Sequence, residues 1–175
     1  MSFFQTLLKA LDKIAEPKVL ARGEYLISEG QVEHHLYLIE SGAVRVFLLT
    51  AHEELTIRFG YKGSFINSLS SFITEAPSEF YIEALRKTKV KAISKSKFRA
   101  FVNENPEHMA QYNALLEVLV TQQIEREIDL LTASPNERLQ RVLQRSPNLF
   151  QEVPLKYIAS YLRMTPETLS RIRSS

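Results

Sequence analysis

Cysteine is absent from the 175 residues, which excludes disulfides, thiolate zinc sites, cysteine-ligated iron–sulfur clusters and thiol redox sensing. The chain also lacks any run of about eighteen apolar residues, the length a bilayer-spanning helix needs. The opening Met1-Ser2-Phe3-Phe4 has neither the basic stretch nor the small-residue cleavage site of a secretory signal. These absences predict a soluble, cytoplasmic chain with no membrane partner. Glycine is scarce, and all five copies lie within the first 63 residues. Strong net charge is missing too, at +2 overall. That balance hides an asymmetry, because residues from Ser134 onward carry seven Arg and Lys against three acids. A basic module joined to a slightly acidic one is what a nucleic-acid partner selects, since phosphate contacts supply sequence-independent affinity.

What is present divides into two grammars. An apolar fraction of 45% supports packed cores. The five glycines fall among short runs rich in Val, Ile, Leu, Phe and Tyr, which is β punctuation. His35 to Glu40, Ser41-Gly42 and Ala43 to Leu49 read as a hairpin with Val44, Val46 and Leu48 on one face and Arg45 on the other. Further strands are expected at Val19 to Ala21, Tyr25 to Ile27, Leu55 to Phe59, Phe80 to Leu85 and Val90 to Ile93. Many short antiparallel strands imply a sandwich or a rolled barrel.

The prolines punctuate helices instead. Asn105-Pro106, Ser134-Pro135 and Thr165-Pro166 each set a capping side chain before a proline at the first helical position, and Glu137 completes a capping box with Ser134. From Pro106 to about Leu131 no glycine and no further proline intervenes, so one helix of roughly seven turns is expected. Its apolar stripe runs Met109, Tyr112, Leu116, Val120, Ile124, Ile128 and Leu131, with Leu115, Val118 and Leu119 beside it. A helix apolar over more than one stripe needs two partners. One is its own barrel, and the other is predicted to be the same helix of a second copy.

Leu155 to Ile172 has the spacing of a helix-turn-helix. Ile158 and Leu162 form the apolar side of the first helix, and small Ala159 permits close approach of the second. After a turn at Arg163-Met164-Thr165, Leu169 and Ile172 point inward. Pro166, Glu167, Ser170 and Arg171 are left outward, where a recognition helix meets base edges. Arginine forks onto guanine and glutamate accepts from cytosine; Thr168, Arg173 and Arg163 are placed for phosphates.

With those residues in view, the chain resembles the Crp/Fnr family of bacterial transcription regulators from about residue 5 to the end. The carrying segments are Gly42 within LYLIESGAVRVFLL, Gly63 within GSFINSLSSF, the helix start KSKFRAFVNENPEHM, and YIASYLRMTPETLSRIR. The resemblance implies an α+β protein: an N-terminal antiparallel β-roll of double-stranded β-helix or jelly-roll type, a long central dimerisation helix, and a C-terminal helix-turn-helix domain. The expected divisions are 1–104, 105–132 and 133–175. Glu167 and Arg171 fall on the family's base-reading glutamate and arginine, and the implied partners are double-stranded DNA and a second copy of the chain.

The departures bear on mechanism. Where nucleotide-binding members carry a glutamate for the ribose and an arginine plus a small hydroxyl residue for the cyclic phosphate, this chain has Ser68, Ser78 and Glu79. The hydroxyl pair on the dimer helix has become Gln123-Ile124. A phosphate site that has lost its arginine and gained a carboxylate repels an anion, so cyclic AMP and cyclic GMP are not expected as ligands, and the effector is unnamed. Arg163 stands at a turn position where the family has glycine, Pro166 replaces a polar reader, and the sequence stops at Ser175 with no residues for a wing.

The run Arg86, Lys87, Lys89, Lys91, Lys95, Lys97 and Arg99 has two readings: a contact patch for RNA polymerase or DNA flanks, or lysines that keep an exposed sheet edge from pairing. His34, His35, His52 and His108 lack the converging arrangement of a cupin metal site. Glu16, Glu29, Glu40, Glu75 and Glu83 form no catalytic motif. No enzyme activity, cofactor or metal is therefore expected. The rival readings are a ligand-binding sensor or adaptor without DNA binding, and a cupin-like metal oxygenase.

Overall fold

The β-branched and aromatic runs of the first half fold into strands because each offers one face to a common core. The computed structural model describes Lys9 and residues 12–174; residues 1–8, 10 and 11 of the expected first division, and Ser175 of the last, lie outside the described residues. The strands are β1 (Glu16–Leu20), β2 (Tyr25–Ile27), β3 (His35–Ser41), β4 (Ala43–Leu49), β5 (Glu54–Tyr61), β6 (Phe65–Ile66), β7 (Tyr81–Ala84) and β8 (Thr88–Ser94). They form two four-stranded antiparallel sheets, ordered β1-β8-β3-β6 and β2-β7-β4-β5. Leu20, Ile39, Val44, Ile82 and Val90, each at most 1% exposed, fill the space between the sheets.

Two expectations are corrected here. β3 and β4 are not a hairpin: β3 pairs with β6 and β8, whereas β4 pairs with β5 and β7. The chain changes sheet at Gly42, which has φ +90, and a Cβ there would lie 2.4 Å from Thr88 Oγ1 and 2.6 Å from the Lys87 carbonyl oxygen. Ser41-Gly42 is thus a corner, whose turn chemistry is the same as that of a hairpin. Nor is the lysine-bearing strand an edge, since β8 lies between β1 and β3. Four of the seven basic residues of the run are paired: Lys91 of β8 with Asp12 and Glu40, and, outside the strand, Lys95 with Glu75, Lys97 with Glu16, and Arg86 with Glu152. The two-residue β6 has no counterpart in the expected strands.

A short helix α1 (Leu69–Thr74) leads into β7, and α2 (Lys95–Asn103) leads into the long helix α3 (Pro106–Leu131). The bounds of α3 match the sequence reading because its signals are local: the Asn105 side chain accepts the His108 backbone N–H at 2.9 Å, and Pro106 needs no partner for a missing donor. Leu115 is buried with Leu36, Ile93, Phe98 and Phe101, and Tyr112 and Leu119 pack against that cluster. Tyr112, expected on the stripe facing a second copy, stacks edge-on against Phe98 at 5.5 Å. Val120, Ile124, Ile128 and Leu131 of the same stripe are exposed, at 59, 52, 41 and 84%.

Beyond α3 come α4 (Pro135–Arg145), α5 (Leu149–Glu152), α6 (Leu155–Tyr161) and α7 (Pro166–Ser174). Ser134 caps α4 by accepting the Glu137 backbone N–H. The core of these helices, built on Leu139, Leu149, Ile158, Leu162 and Leu169, continues into the roll through Ala43 and Leu85, with Phe59 and Tyr61 packed against it. Both faces of β4 are buried for this reason: Val44 and Val46 face the space between the sheets, while Arg45 and Phe47 lie beneath α6. Arg45 is 4% exposed. Its guanidinium donates to Glu83 at 2.6 Å and Glu54 at 2.5 Å and is sandwiched between the rings of Phe47 and Tyr157, 4.0 and 4.1 Å from their centroids. A bulge of β5 opposite Val46 and Phe47 lies beside Thr56, whose backbone N–H donates to Ser160 Oγ on α6 at 3.1 Å.

Candidate nucleic-acid interface

Helices α6 and α7 are joined by a tight turn whose hydrogen bonds follow from one unusual backbone angle. Arg163 has φ +55. Its N–H donates to the Ser160 carbonyl, and the next residue, Met164, donates to the Ala159 carbonyl, which is the Schellman arrangement. Glycine is the usual occupant of that position; arginine there costs about 1 kcal/mol. Arg138 of α4 braces the turn, with Nη1 donating to the Leu162 carbonyl at 2.6 Å. Thr165 caps α7 by accepting the Thr168 backbone N–H at 3.2 Å.

Within this frame Leu162 and Leu169 are fully buried, Ala159 is buried at the contact, and Ile172 is packed against the same core. Pro166, Glu167, Ser170, Arg171 and Arg173 are exposed, so α7 turns a polar side outward and an apolar side in. Hydrogen bonding from its own backbone N–H and from the Thr165 hydroxyl holds the Glu167 carboxyl below the ordinary carboxylate range. It is therefore a permanent acceptor at neutral pH. Thr168 is half-buried and its hydroxyl lies 3.1 Å from the Thr165 hydroxyl, within the cap. The Arg173 guanidinium lies over the Phe150 ring at 4.4 Å. Not all of the tail's basic charge is outward: Arg141 and Arg145 are committed to Glu125 and to Asp129, which is fully buried on α3.

Of the cassette residues, Ser68 and Ser78 are brought together, and they satisfy one another. Ser68 and Ser78 are buried, and the Ser78 hydroxyl donates to Ser68 Oγ at 2.8 Å while accepting the Phe80 backbone N–H at 3.0 Å. Glu79, expected to set a carboxylate against a phosphate, is exposed. The carboxylate beside Ser68 is Glu33, which the sequence reading does not single out. It is 1% exposed, and its Oε1 accepts the His35 N–H at 2.9 Å. Burial pushes the Glu33 carboxyl up, opposed by the N–H groups of His35, Ser68 and His34 and by the Tyr37 hydroxyl. Gln123 and Ile124 are exposed on α3. Among the described residues no group of three or more histidine or acidic side chains is arranged to hold a metal, and no helix is long and apolar enough to cross a membrane.

Residues 17–105 match the model of the cyclic nucleotide-binding domain, and the chain belongs to that family. Its architecture as a whole is that of the Crp/Fnr regulators. FixK2 from Bradyrhizobium japonicum superposes with a TM-score of 0.79 at 20% identity, over 92% of this chain and 83% of that one. The catabolite activator protein of Thermus thermophilus gives 0.61 at 21%, over 99% and 85%. TTHB099, a transcriptional regulator of the CRP family from the same organism, gives 0.67 at 20%, over 90% and 82%. At these identities the likeness is one of fold. No curated protein matches the chain in sequence.

Proposed function

We propose that the chain is a homodimeric, DNA-binding transcription regulator whose β-roll has lost the binding of cyclic nucleotides. Three units carry the roles: 1–104 as sensor, 105–132 as the dimer helix and 133–175 as the DNA-binding module. The observation that carries this reading is the two-sidedness of α7, anchored by buried Leu169 and presenting Glu167, Ser170 and Arg171 to solvent. A helix with that polarity, at the second position of a helix-turn-helix, suits insertion into the major groove. The exposed stripe of Val120, Ile124, Ile128 and Leu131 supports pairing of two copies, which would set two such helices about 34 Å apart, one turn of DNA. Glu167, Ser170 and Arg171 are assigned to base edges, and Thr168, Arg163 and Arg173 to phosphates.

Loss of nucleotide binding is supported by the Ser78–Ser68 hydrogen bond, which leaves neutral, mutually satisfied hydroxyls where an anion needs a cation. Calorimetry with cyclic AMP and cyclic GMP tests it, and micromolar affinity for either would overturn it. The DNA-binding claim is tested by fluorescence anisotropy with genomic fragments at two salt concentrations. Affinity should fall as salt rises. At a cognate site, Arg171→Ala should cost about 1–3 kcal/mol and relax sequence preference. A protein with no salt-sensitive binding would instead be a ligand-binding adaptor.

A further inference from the structure

A buried guanidinium is unfavourable unless an anion neutralises it, and this chain mostly obeys that rule. Buried Arg45 has Glu83 and Glu54, and even the more exposed Arg141 and Arg145 have Asp129 and Glu125. Arg126 on α3 is an exception. It is 8% exposed, its guanidinium stacks on Tyr161 at 3.7 Å, and Nη2 donates to the Tyr161 carbonyl oxygen. Nη1 is buried with no hydrogen-bond partner among the described residues. The acid whose charge it feels, Asp129, is already held by Arg141 and Arg145. Arg58 on β5 is the second exception. It is half-buried beside the same Tyr161 and, among the described residues, has neither a hydrogen bond nor a carboxylate partner. Burial pushes both guanidiniums below their ordinary range.

Both side chains line one half-open cavity of about 600 Å³ between β5, α3 and the C-terminal helices. Its walls are mainly apolar, with Ile57, Phe59, Leu115, Leu119 and Leu149 among them, and no aspartate or glutamate lines it. Of the positions where the family contacts a nucleotide, Gln123 lines it, while Ser68, Ser78, Glu79 and Ile124 do not. The volume is in the range that takes a small organic ligand, and the only uncompensated charge facing it is positive.

We propose that this cavity binds an organic anion with an apolar body, whose carboxylate or phosphate is held by Arg58 and Arg126 while the body lies against Phe59, Leu115 and Leu149. The arginines supply forked donors that match either head group. The claim goes beyond the DNA-binding reading and does not depend on it, since binding is measured with the protein alone.

The test uses the full chain and the aromatic anion 8-anilinonaphthalene-1-sulfonate, followed by fluorescence, with 2-naphthoate, 1-naphthyl phosphate, 2-naphthol and cyclic AMP as competitors. One probe per chain should bind. The naphthoate or the naphthyl phosphate should displace it, with the stronger of the two naming the head group, and naphthol should be at least tenfold weaker. Because the Arg58 side chain makes no hydrogen bond or ion pair among the described residues, and methionine keeps its unbranched apolar stem, Arg58→Met should bind the probe at least tenfold more weakly yet melt, without ligand, at the same or a higher temperature. Arg58→Lys should keep most of the affinity. The proposal is overturned if the probe does not saturate, if naphthol or cyclic AMP competes as well as the anions, or if Arg58→Met binds like the parent. A lowered melting temperature of Arg58→Met would also overturn it, by making Arg58 a structural residue.

Discussion

Glu33 is a carboxyl kept almost wholly from water, with the Tyr37 hydroxyl and the Ser68 N–H beside it. Burial, the largest influence, raises its pKa, so the folded chain holds this proton to a higher pH than the unfolded chain does. More protons bound in the folded state means that stability falls as pH rises through the window above the ordinary carboxylate range. Glu33→Gln should remove this slope: melting temperatures measured from pH 4 to 8 should decline less steeply for the variant, and parallel curves would disprove the assignment. At Gly42 the constraint is steric. Gly42→Ala forces a Cβ against the Thr88 backbone at φ +90 and should cost about 3 kcal/mol or more in urea denaturation. Neither effect is fully legible in the sequence. Gly42 reads as a turn from its neighbours alone, whereas Glu33 belongs to no motif and is made important only by residues distant in the chain, such as Ser71, whose Oγ accepts the Glu33 N–H. Arg45 and Arg126 are of the same kind, since one arginine in a sequence does not disclose whether a helix will cover it.

Helix α3 divides its apolar residues between two clients. Leu115, Leu119 and Tyr112 serve the roll, and Val120, Ile124, Ile128 and Leu131 face water. On the proposed dimer, Ile128→Glu places two carboxylates in the seam, and light scattering should return the mass of one chain at micromolar concentration where the parent gives two. A parent with the mass of one chain, or a variant that stays paired, would remove α3 as the interface. The helices are the most legible elements, because Asn105, Ser134 and Thr165 with the prolines that follow them act within one turn. Strand partners are not. The alternation at Val44 and Val46 identifies a strand and its inner face, but nothing within β4 says whether β3 or β7 will hydrogen-bond to it. The lysines of β8 look like edge protection for the same reason; Lys89 and Lys91 belong to an inner strand, and Lys91 is matched by Asp12 and by Glu40 of β3.

Across the molecule, the C-terminal helices are tied to their own roll by the Arg45 stack under Tyr157, the Ser160–Thr56 hydrogen bond and the Arg86–Glu152 pair. Arg45→Ala removes the stack and leaves Glu83, with a side chain 16% exposed, without its cation; loss of about 3 kcal/mol is expected. Limited proteolysis should then cut near 132–135 faster than in the parent, and unchanged cleavage would mean that the tie lies elsewhere. The switch of sheets at Gly42 has a consequence for how the protein is made. β4 and β5 pair as neighbours in the chain, but β3 finds its neighbours only in β6 and β8, and β1 waits for β8 as well, so the first sheet cannot be completed early in the nascent chain. The first sheet stays open until Ser94 has left the ribosome, and its pairings are of high contact order. Refolding should accordingly be slow, and a chain halted before β8 would display unpaired strands that invite aggregation.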